Sequence, residues 1–320
     1  MKQILTSILI MSLLIFIGIE ILTESSYILD TVVYSFSFWK NNLFPALFPF
    51  FVLSEILVNY GFVELVGELF KPLMTKAFKV SPNSAFIFIM SIISGFPSNA
   101  KYTKNLYEQG LINEKEASKI LMFTHFSNPL FILGTISLLF LQNYKAGLIV
   151  LICHYITNII IGIMVRNKIY TYNIEEKTSI KQAILKMHNK RINNNKPLGT
   201  IITNSLVNSI NSLLLILGVV TMFLIITTIL DKHFHLNIYL KTFISGLFEM
   251  TQGLKHVSIL DISLKWKSVL TSIIISFGGL SVHTQVLSII SDTKIKYLPF
   301  LLARIIHALL SGILVFIFMN

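Results

Sequence analysis

The sequence predicts an all-α, polytopic membrane protein with about seven crossings, two re-entrant hairpins and an inverted repeat. The chain is 54% hydrophobic and only 13% charged, and its mean hydropathy is +0.73. A soluble domain carries about 25% charged residues, so this composition is typical of an integral membrane protein. We therefore expect a multi-pass protein of the cell membrane, with the lipid bilayer as its surroundings and no nucleic-acid partner.

Two membrane-embedded motifs occur twice, and they predict the repeat. Ser94-Gly95-Phe96-Pro97 is paired with Ser245-Gly246-Leu247-Phe248, and Phe126-Ser127-Asn128-Pro129 with Phe277-Gly278-Gly279-Leu280. The interval from Gly95 to Phe126 equals the interval from Gly246 to Phe277. Short apolar segments interrupted by Gly or Pro at matching places of two halves are typical of secondary transporters. Chance similarity between two apolar stretches is the alternative.

The first apolar run, residues 4–22, is interpreted as a retained first helix because no small-residue cleavage site follows it. Residues 84–97 and 238–257 are too short to cross and predict re-entrant hairpins, whereas 62–79 predicts an amphipathic surface helix. Two long runs are expected to be broken near their middles, at Ser127-Asn128 and at Phe277-Gly278-Gly279. The predicted crossings are residues 4–22, 43–58, 114–141, 145–166, 201–230, 264–290 and 298–319.

One basic stretch predicts the orientation. Residues 166–196 contain eight Lys or Arg and two Glu, which is typical of a cytoplasmic loop. Three crossings lie between the hairpins, so the halves are expected to have opposite orientations. The predicted organisation is an N-terminal anchor helix with an exterior segment (1–40), a first repeat (41–166), the basic cytoplasmic loop (167–198) and a second repeat (199–320).

Glu249, at the tip of the second hairpin, is the first candidate for function. A carboxylate at membrane depth is costly and usually marks an ion, proton or substrate path. Its partner position in the first hairpin is Ser98, so the two tips differ in chemistry. An interfacial Glu with its carboxylate in water is the alternative. Glu55, near the end of an early crossing, is read equally well as a functional or an ordinary cytoplasmic-end residue.

The first break carries polar groups at a place where half-helix ends are left unpaired. The helix that restarts after Asn128 is expected to direct its N-terminus at the break, and such an end attracts anions. His125 adds a donor there, although a structural His in a polar pocket is the commoner case. His154 and His307 occupy matching places and are read as packing groups, and Arg304 is expected to snorkel or to face an acidic partner.

The predicted substrate-binding set surrounds both hairpin tips and both breaks. No nucleotide-binding loop or nucleophile arrangement is present, so we expect a small-molecule substrate and neither enzymatic activity, a cofactor nor a metal. Oligomerisation into a homo-oligomer is left open. The set consists of Ser94, Gly95, Ser98, Asn99, Thr124, His125, Ser127, Asn128, Gly246, Glu249, Thr251, Gly278, Gly279 and His283.

Four segments resemble a known family. They are residues 43–55 (Leu-Phe-Pro-Ala-Leu-Phe-Pro-Phe-Phe-Val-Leu-Ser-Glu), residues 94–101 (Ser-Gly-Phe-Pro-Ser-Asn-Ala-Lys), residues 123–132 and Gly246-Leu247-Phe248-Glu249-Met250-Thr251. Together they resemble the sporulation integral membrane protein YlbJ family. The family's usual Gly-Tyr-Pro, Phe-Thr-Asn and Ser-Gly-Pro are here Gly-Phe-Pro, Phe-Thr-His and Ser-Asn-Pro.

The resemblance implies a nucleoside-recognition, or Gate, domain and a build similar to concentrative nucleoside transporters. It also implies a role in sporulation and transport of dipicolinate across the outer forespore membrane. A transporter of a small anionic or aromatic solute is the first hypothesis for function. The alternatives are a nucleoside transporter and a non-transporting scaffold or regulator needed for sporulation.

Overall fold

The computed structural model describes residues 2–172, 179–234 and 236–319, and every regular element within these ranges is helical. The first half contains α1 (Lys2–Thr23), α2 (Ser25–Phe38), α3 (Phe44–Asn59), α4 (Phe62–Leu69), α5 (Ser84–Ser94), α6 (Ser98–Glu108), α7 (Glu114–Leu121) and α8 (Tyr144–Met164), with π-helical segments at Trp39–Leu43, Leu73–Phe78 and Phe131–Phe140. The second half contains α9 (Ile180–Asn194), α10 (Leu198–Phe234), α11 (Ile238–Phe248), α12 (Met250–Ile259), α13 (Leu264–Phe277), α14 (Gly279–Ile290) and α15 (Tyr297–Phe318).

Six helical stretches in the described ranges are long and apolar enough to cross a bilayer, so the protein is an all-helical polytopic membrane protein, as predicted. The seventh predicted crossing, 114–141, is not among them because its two helical parts, α7 and Phe131–Phe140, are separated by a non-helical stretch. The six stretches are Ile4–Thr23, Ser25–Asn59, Tyr144–Met164, Leu198–Phe234, Leu264–Ile290 and Tyr297–Phe318.

The N-terminal region differs from the predicted helix followed by an exterior segment. Helices α2 and α3 join through the π-helical segment Trp39–Leu43 into one stretch of 35 residues. At 1.5 Å per residue this stretch is about 50 Å long, well beyond the hydrocarbon core. It packs along α10, where Ser35 Oγ lies 2.7 Å from Thr221 Oγ1 and Trp39 Nε1 donates to Leu213 O at 3.0 Å. The polar residues of α2 thus face a neighbouring helix, which a sequence pattern alone does not show.

The predicted surface helix 62–79 is instead part of the core. Val63 and Val66 on α4 and Phe78 on the following π-helical segment are buried. The charged side of α4 is covered by α9, where Lys186 Nζ donates to Glu68 Oε2 at 2.8 Å. The helix therefore does have an apolar and a charged side, but both sides contact protein. The basic loop thus contains a helix, and its residues 173–178 lie outside the described residues.

Candidate functional site

The first hairpin, formed by α5 and α6, is seated on the first break. Gly95 follows α5 with a φ of +76°, and a Cβ built on it would lie 2.5 Å from the backbone nitrogen of Asn128. Phe96 N donates to Phe126 O at 2.8 Å. Only glycine permits both this conformation and this approach. The hairpin tip and the broken crossing of the first repeat therefore form one unit.

Asn128 fastens this unit with its side chain. Its Nδ2 donates to Ile93 O at 2.9 Å, and its Oδ1 accepts hydrogen bonds from Leu130 N and Phe131 N at 2.8 and 3.3 Å. The N-terminus of the restarting half-helix is thus capped by the protein's own amide. The expected anion site at this helix end is filled from within the chain.

The second hairpin, formed by α11 and α12, is built from glycines. A Cβ on Gly253 would lie 2.3 Å from the Cα of Gly246, so the two arms touch backbone to backbone. Gly279 has a φ of +71°, and its Cβ would lie 3.1 Å from Met250 N. Sequence motifs matched Gly246 with the tip glycine Gly95, but Gly246 lies inside α11. The tip itself is Glu249, the residue between α11 and α12.

Glu249 is fully buried and caps α12, which excludes the interfacial alternative. Its Oε2 accepts hydrogen bonds from Thr251 N at 2.7 Å, from Gln252 N at 3.0 Å and from the Thr251 hydroxyl. Ser281 Oγ donates to its Oε1 at 3.5 Å. These partners are neutral, and within the described residues no Lys, Arg or His forms an ion pair with this carboxylate.

The two breaks meet in the middle of the bundle through His154. Its Nε2 accepts a hydrogen bond from Ser127 N at 2.9 Å, and its Nδ1 lies 2.9 Å from Ser276 Oγ. Because Nε2 is an acceptor, the ring is neutral with its proton on Nδ1. On the same side, the Nε2 of His125 lies 3.4 Å from the Cβ position of Gly278. The breaks of the two predicted repeats therefore lie close together.

Arg304 is the fully buried cation of this region. Its Nη1 donates to His307 Nδ1 at 2.6 Å, and its Nη2 donates to Asn158 Oδ1 at 3.2 Å and to Met122 O. The expected acidic partner is not found, since no carboxylate of the described residues lies within ion-pair distance of the guanidinium. A buried charge without a counterion is rare and costly.

Several buried polar atoms close to the first break have no hydrogen-bond partner within the part of the chain that the structure describes. They are both ring nitrogens of His125, both amide atoms of Asn99, the hydroxyl of Ser127 and the Nε of Arg304. The His125 ring is held between apolar rings, stacked on Phe96 with centroids 4.5 Å apart and edge-on to Phe300 at 5.0 Å. Since buried polar atoms are nearly always paired, these groups are candidates for contact with a ligand or water.

Other predicted site residues are already engaged within the protein. Ser98 Oγ donates to Gly95 O, Thr124 Oγ1 to Ile120 O at 2.8 Å, and Ser94 Oγ lies 3.1 Å from Tyr102 Oη. The His283 Nε2 lies 3.1 Å from Phe277 O, and its Nδ1 lies 2.7 Å from Tyr297 Oη. Glu55 forms an ion pair with Lys101 at 2.8 Å, which favours a structural role over the functional alternative.

A small cavity lies where the two hairpin tips and the two breaks converge. Its volume is about 30 Å³, and Pro97, Ser127, Glu249 and Val282 each contribute to its wall. This volume has room for a water molecule, whereas sites for small organic ligands measure about 300–1,000 Å³. The conformation is therefore closed. The assignment of these residues to substrate binding stays a prediction.

Arg304, His307 and Asn158 were not included in the predicted site, although the structure joins them to it. Arg304 was visible as an Arg inside a predicted span, but its distance along the chain from the breaks hid its location. His307 was assigned to packing with His154, and their rings do pack, with centroids 4.6 Å apart. The missing information was the bond from His307 to Arg304, which no local pattern contains.

Comparison with known proteins places the chain in a family. A family model described as Gate, nucleoside recognition, matches residues 42–142, which run from the end of the π-helical segment before α3 to the end of the first broken crossing. The sporulation integral membrane protein YlbJ of Bacillus subtilis (strain 168) is 32% identical over 336 residues, covering 97% of this chain and 82% of that protein. No solved structure matches. The chain is thus a sporulation-related, multi-pass membrane protein, and it belongs to the family of the sporulation integral membrane protein YlbJ.

Proposed function

We propose that the protein is a secondary transporter that moves a small anion across the membrane around the developing spore. The observation that carries this proposal is Arg304, a fully buried guanidinium that forms no ion pair with any carboxylate of the described residues. Its partners are a neutral imidazole, an amide oxygen and a backbone carbonyl, none of which cancels its charge. An anionic substrate would supply the missing negative charge once the site opens.

The neighbouring groups extend the argument from charge to shape. His125 offers two unpartnered ring nitrogens and lies against Phe96 and Phe300, so it combines a polar edge with flat apolar walls. Such walls suit a planar ring, and Arg304 suits a carboxylate. An aromatic dicarboxylate has both features. Dipicolinate, which the family resemblance implies, is therefore the substrate to test first.

Movement of the hairpins would open the site. The closed cavity is too small for any such solute, and each hairpin tip rests on a break of the same repeat. Lifting one tip would expose the meeting point of the breaks to one side of the membrane. Because the hairpins are predicted to enter from opposite sides, alternate lifting gives alternating access. Transport across the outer forespore membrane is part of this proposal.

A nucleoside transporter is the second candidate, favoured by the nucleoside-recognition description of the matching family model. The unpartnered amide of Asn99 could read the edge of a base, but a neutral nucleoside leaves Arg304 uncompensated. A non-transporting scaffold is the third candidate. Flux measurements separate all three, because only a transporter moves solute and only an anion transporter requires the charge of Arg304.

The test is uptake of labelled dipicolinate into vesicles that carry the purified protein. We expect saturable uptake that excess unlabelled dipicolinate abolishes and excess uridine does not. Arg304→Gln should lower uptake about 10- to 100-fold, the range that a hydrogen bond to a charged group contributes. Arg191→Gln, at a partly exposed Arg on α9 that contacts Tyr60, is the matched control and should transport normally.

Folding and function are separated by a binding measurement. Arg304→Gln that elutes as a folded protein but binds dipicolinate as tightly as wild type would refute the anion site. If Arg304→Gln does not fold, His125→Ala, whose ring nitrogens bond to nothing, tests the same site. Uptake of uridine instead of dipicolinate would support the nucleoside candidate, and no uptake of either by folded protein would support the scaffold.

A further inference from the structure

An apolar groove lies on the outside of the second repeat. It lies between α11, α13 and α15, has a volume of about 380 Å³ and is walled almost entirely by apolar side chains. Phe243 and Leu309 on its rim are 67% and 59% exposed. Its floor reaches Gly246 on the second hairpin and Phe277 at the second break. The groove thus joins the lipid-facing surface to the moving parts of the second repeat.

In the first repeat, the equivalent space is filled by Tyr155. Its ring lies edge-on to Phe126, with centroids 4.9 Å apart, and its hydroxyl is 3.0 Å from both Ile92 O and Ser127 O. Tyr155 therefore connects hairpin arm α5 with the first break. His154 and His307 are matching positions, so the residue that follows each, Tyr155 or Ala308, also matches. Phe126 likewise matches Phe277.

The groove includes the space that a Tyr ring would occupy at position 308, where this repeat has Ala. Ala308 and Phe277 both line it, and arm α11, the counterpart of α5, forms its third wall. An apolar space of this size is stable only when something fills it, because its walls otherwise lose their packing contacts. No side chain of the described residues fills it, and the groove opens where α13 and α15 face the bilayer.

We propose that an acyl chain of a membrane lipid binds in this groove and takes the place that Tyr155 occupies in the first repeat. Its rim continues the apolar, lipid-facing surface of α15, so an acyl chain can enter directly from the bilayer. The bound chain braces α11 against α13 and the second break. Hairpin 2 is thereby made sensitive to lipid, whereas hairpin 1 is braced by its own side chain. This inference does not depend on the identity of the transported solute.

The first test is photo-crosslinking of the full-length protein in bilayers that contain a phospholipid with a diazirine on its acyl chain. We expect adducts on α11, α13 and α15 near Phe243, Ile273 and Ala308 to be several-fold more abundant than on α1. Helix α1 is the internal standard because it is also apolar and highly exposed, for instance at Leu5 and Leu9. Adducts spread equally over α1 and the groove would refute a specific site.

The second test fills the groove. Ala308→Tyr restores the residue of the first repeat and should abolish the enriched adducts. We expect the melting temperature of wild type to rise when phospholipid is added back after delipidation, and Ala308→Tyr should lose this rise. Ile313→Tyr, at a 55% exposed position on the same helix and outside the groove, should behave as wild type. Unchanged crosslinking in folded Ala308→Tyr would overturn the proposal, and if that variant does not fold, the wild-type adduct pattern still decides.

Discussion

The two hairpins reach the same place in the bundle, but they are held there differently. Hairpin 1 is fixed by side chains, because Asn128 donates to Ile93 O, Tyr155 contacts Phe126, and Tyr102 donates to Ser54. In hairpin 2 the arms touch at Gly246 and Gly253, and the hairpin is held on the second break by the approach of Gly279 to Met250 and by one long side-chain hydrogen bond, from Ser281 Oγ to Glu249 Oε1 at 3.5 Å. Directional side-chain bonds specify one position, whereas glycine contacts allow sliding. Hairpin 1 is therefore attached more firmly than hairpin 2, and we expect hairpin 2 to lift more easily.

The difference in chemistry follows the difference in packing. The tip of hairpin 2 carries Glu249, whereas the matching position in hairpin 1 is Ser98, whose hydroxyl donates to the nearby Gly95 O. The charged tip is thus on the hairpin with the weaker attachment. Arg304 lies on α15 of the second repeat but donates to Met122 O of the first. Movement of the second repeat would consequently change the surroundings of both buried charges.

The first prediction is that the two hairpins are accessible from opposite sides of the membrane, as an inverted repeat requires. Gln109→Cys follows hairpin 1 and Asp261→Cys follows hairpin 2, and both positions are exposed. In an inverted repeat, an impermeant thiol reagent added to intact cells should label Asp261→Cys and leave Gln109→Cys unlabelled. Lys196→Cys, in the basic loop, should also stay unlabelled because that loop is predicted to be cytoplasmic.

The background for this experiment is simple because Cys153 is the single cysteine and is buried. Cys153→Ala removes any residual labelling. Labelling of Gln109→Cys and Asp261→Cys from the same side would mean that the repeats are parallel, and the alternating-access mechanism would be lost. The result is all or none, which makes it the largest effect expected here.

The second prediction concerns how well each repeat tolerates alanine in place of its tightly packed glycine, Gly95 or Gly279. Gly95→Ala places a methyl group 2.5 Å from Asn128 N in a backbone conformation available to glycine alone, so we expect little folded protein. Gly279→Ala meets Met250 N at 3.1 Å and should fold with a loss of about 1–3 kcal/mol. Melting temperature after size-exclusion chromatography measures both.

Gly134→Ala is the matched control, because it lies on the helical part after the first break with no atom within 4 Å of its Cβ position. It should melt at or slightly above the wild-type temperature, since alanine favours helix over glycine. If Gly279→Ala proved as damaging as Gly95→Ala, the second hairpin would be held as rigidly as the first, and the proposed difference in attachment would be refuted.

The sequence predicted the architecture well wherever a single local pattern carries it. The two breaks and the short hairpin arms are marked by Pro97, Asn128, Gly278 and Gly279, whose backbone effects do not depend on distant residues. Their meeting also followed, because equal spacing in two halves implies symmetry. Local sequence features of this kind are therefore sufficient to predict the fold class.

Features that depend on distant partners could not be predicted in the same way. The residues of α2 were predicted to form an exterior segment. Polar side chains such as Ser35 instead bond to α10 and not to water, a contact that the local sequence does not show. Gly246 was matched with the tip glycine Gly95, whereas in the structure it lies inside α11, which continues to Phe248. Arg304 was expected to snorkel or to face an acidic partner, but it is fully buried and its partners are His307, Asn158 and a carbonyl.

Glu249→Gln is expected to have the smallest effect on the fold and therefore tests function most cleanly. The Gln amide oxygen can accept the hydrogen bonds from Thr251 N and Gln252 N that now cap α12. The cap is kept and only the charge is lost, so the free energy of unfolding should change by less than about 1 kcal/mol. Solute flux should nevertheless stop, because this buried carboxylate has no cation partner among the described residues and is the group available to bind a coupled proton or cation. Ser98→Ala, at the matching position of hairpin 1, is the control and should retain flux. Full flux in a normally inserted Glu249→Gln would show that this carboxylate only caps a helix, and that the chemical difference between the two hairpins has no part in transport.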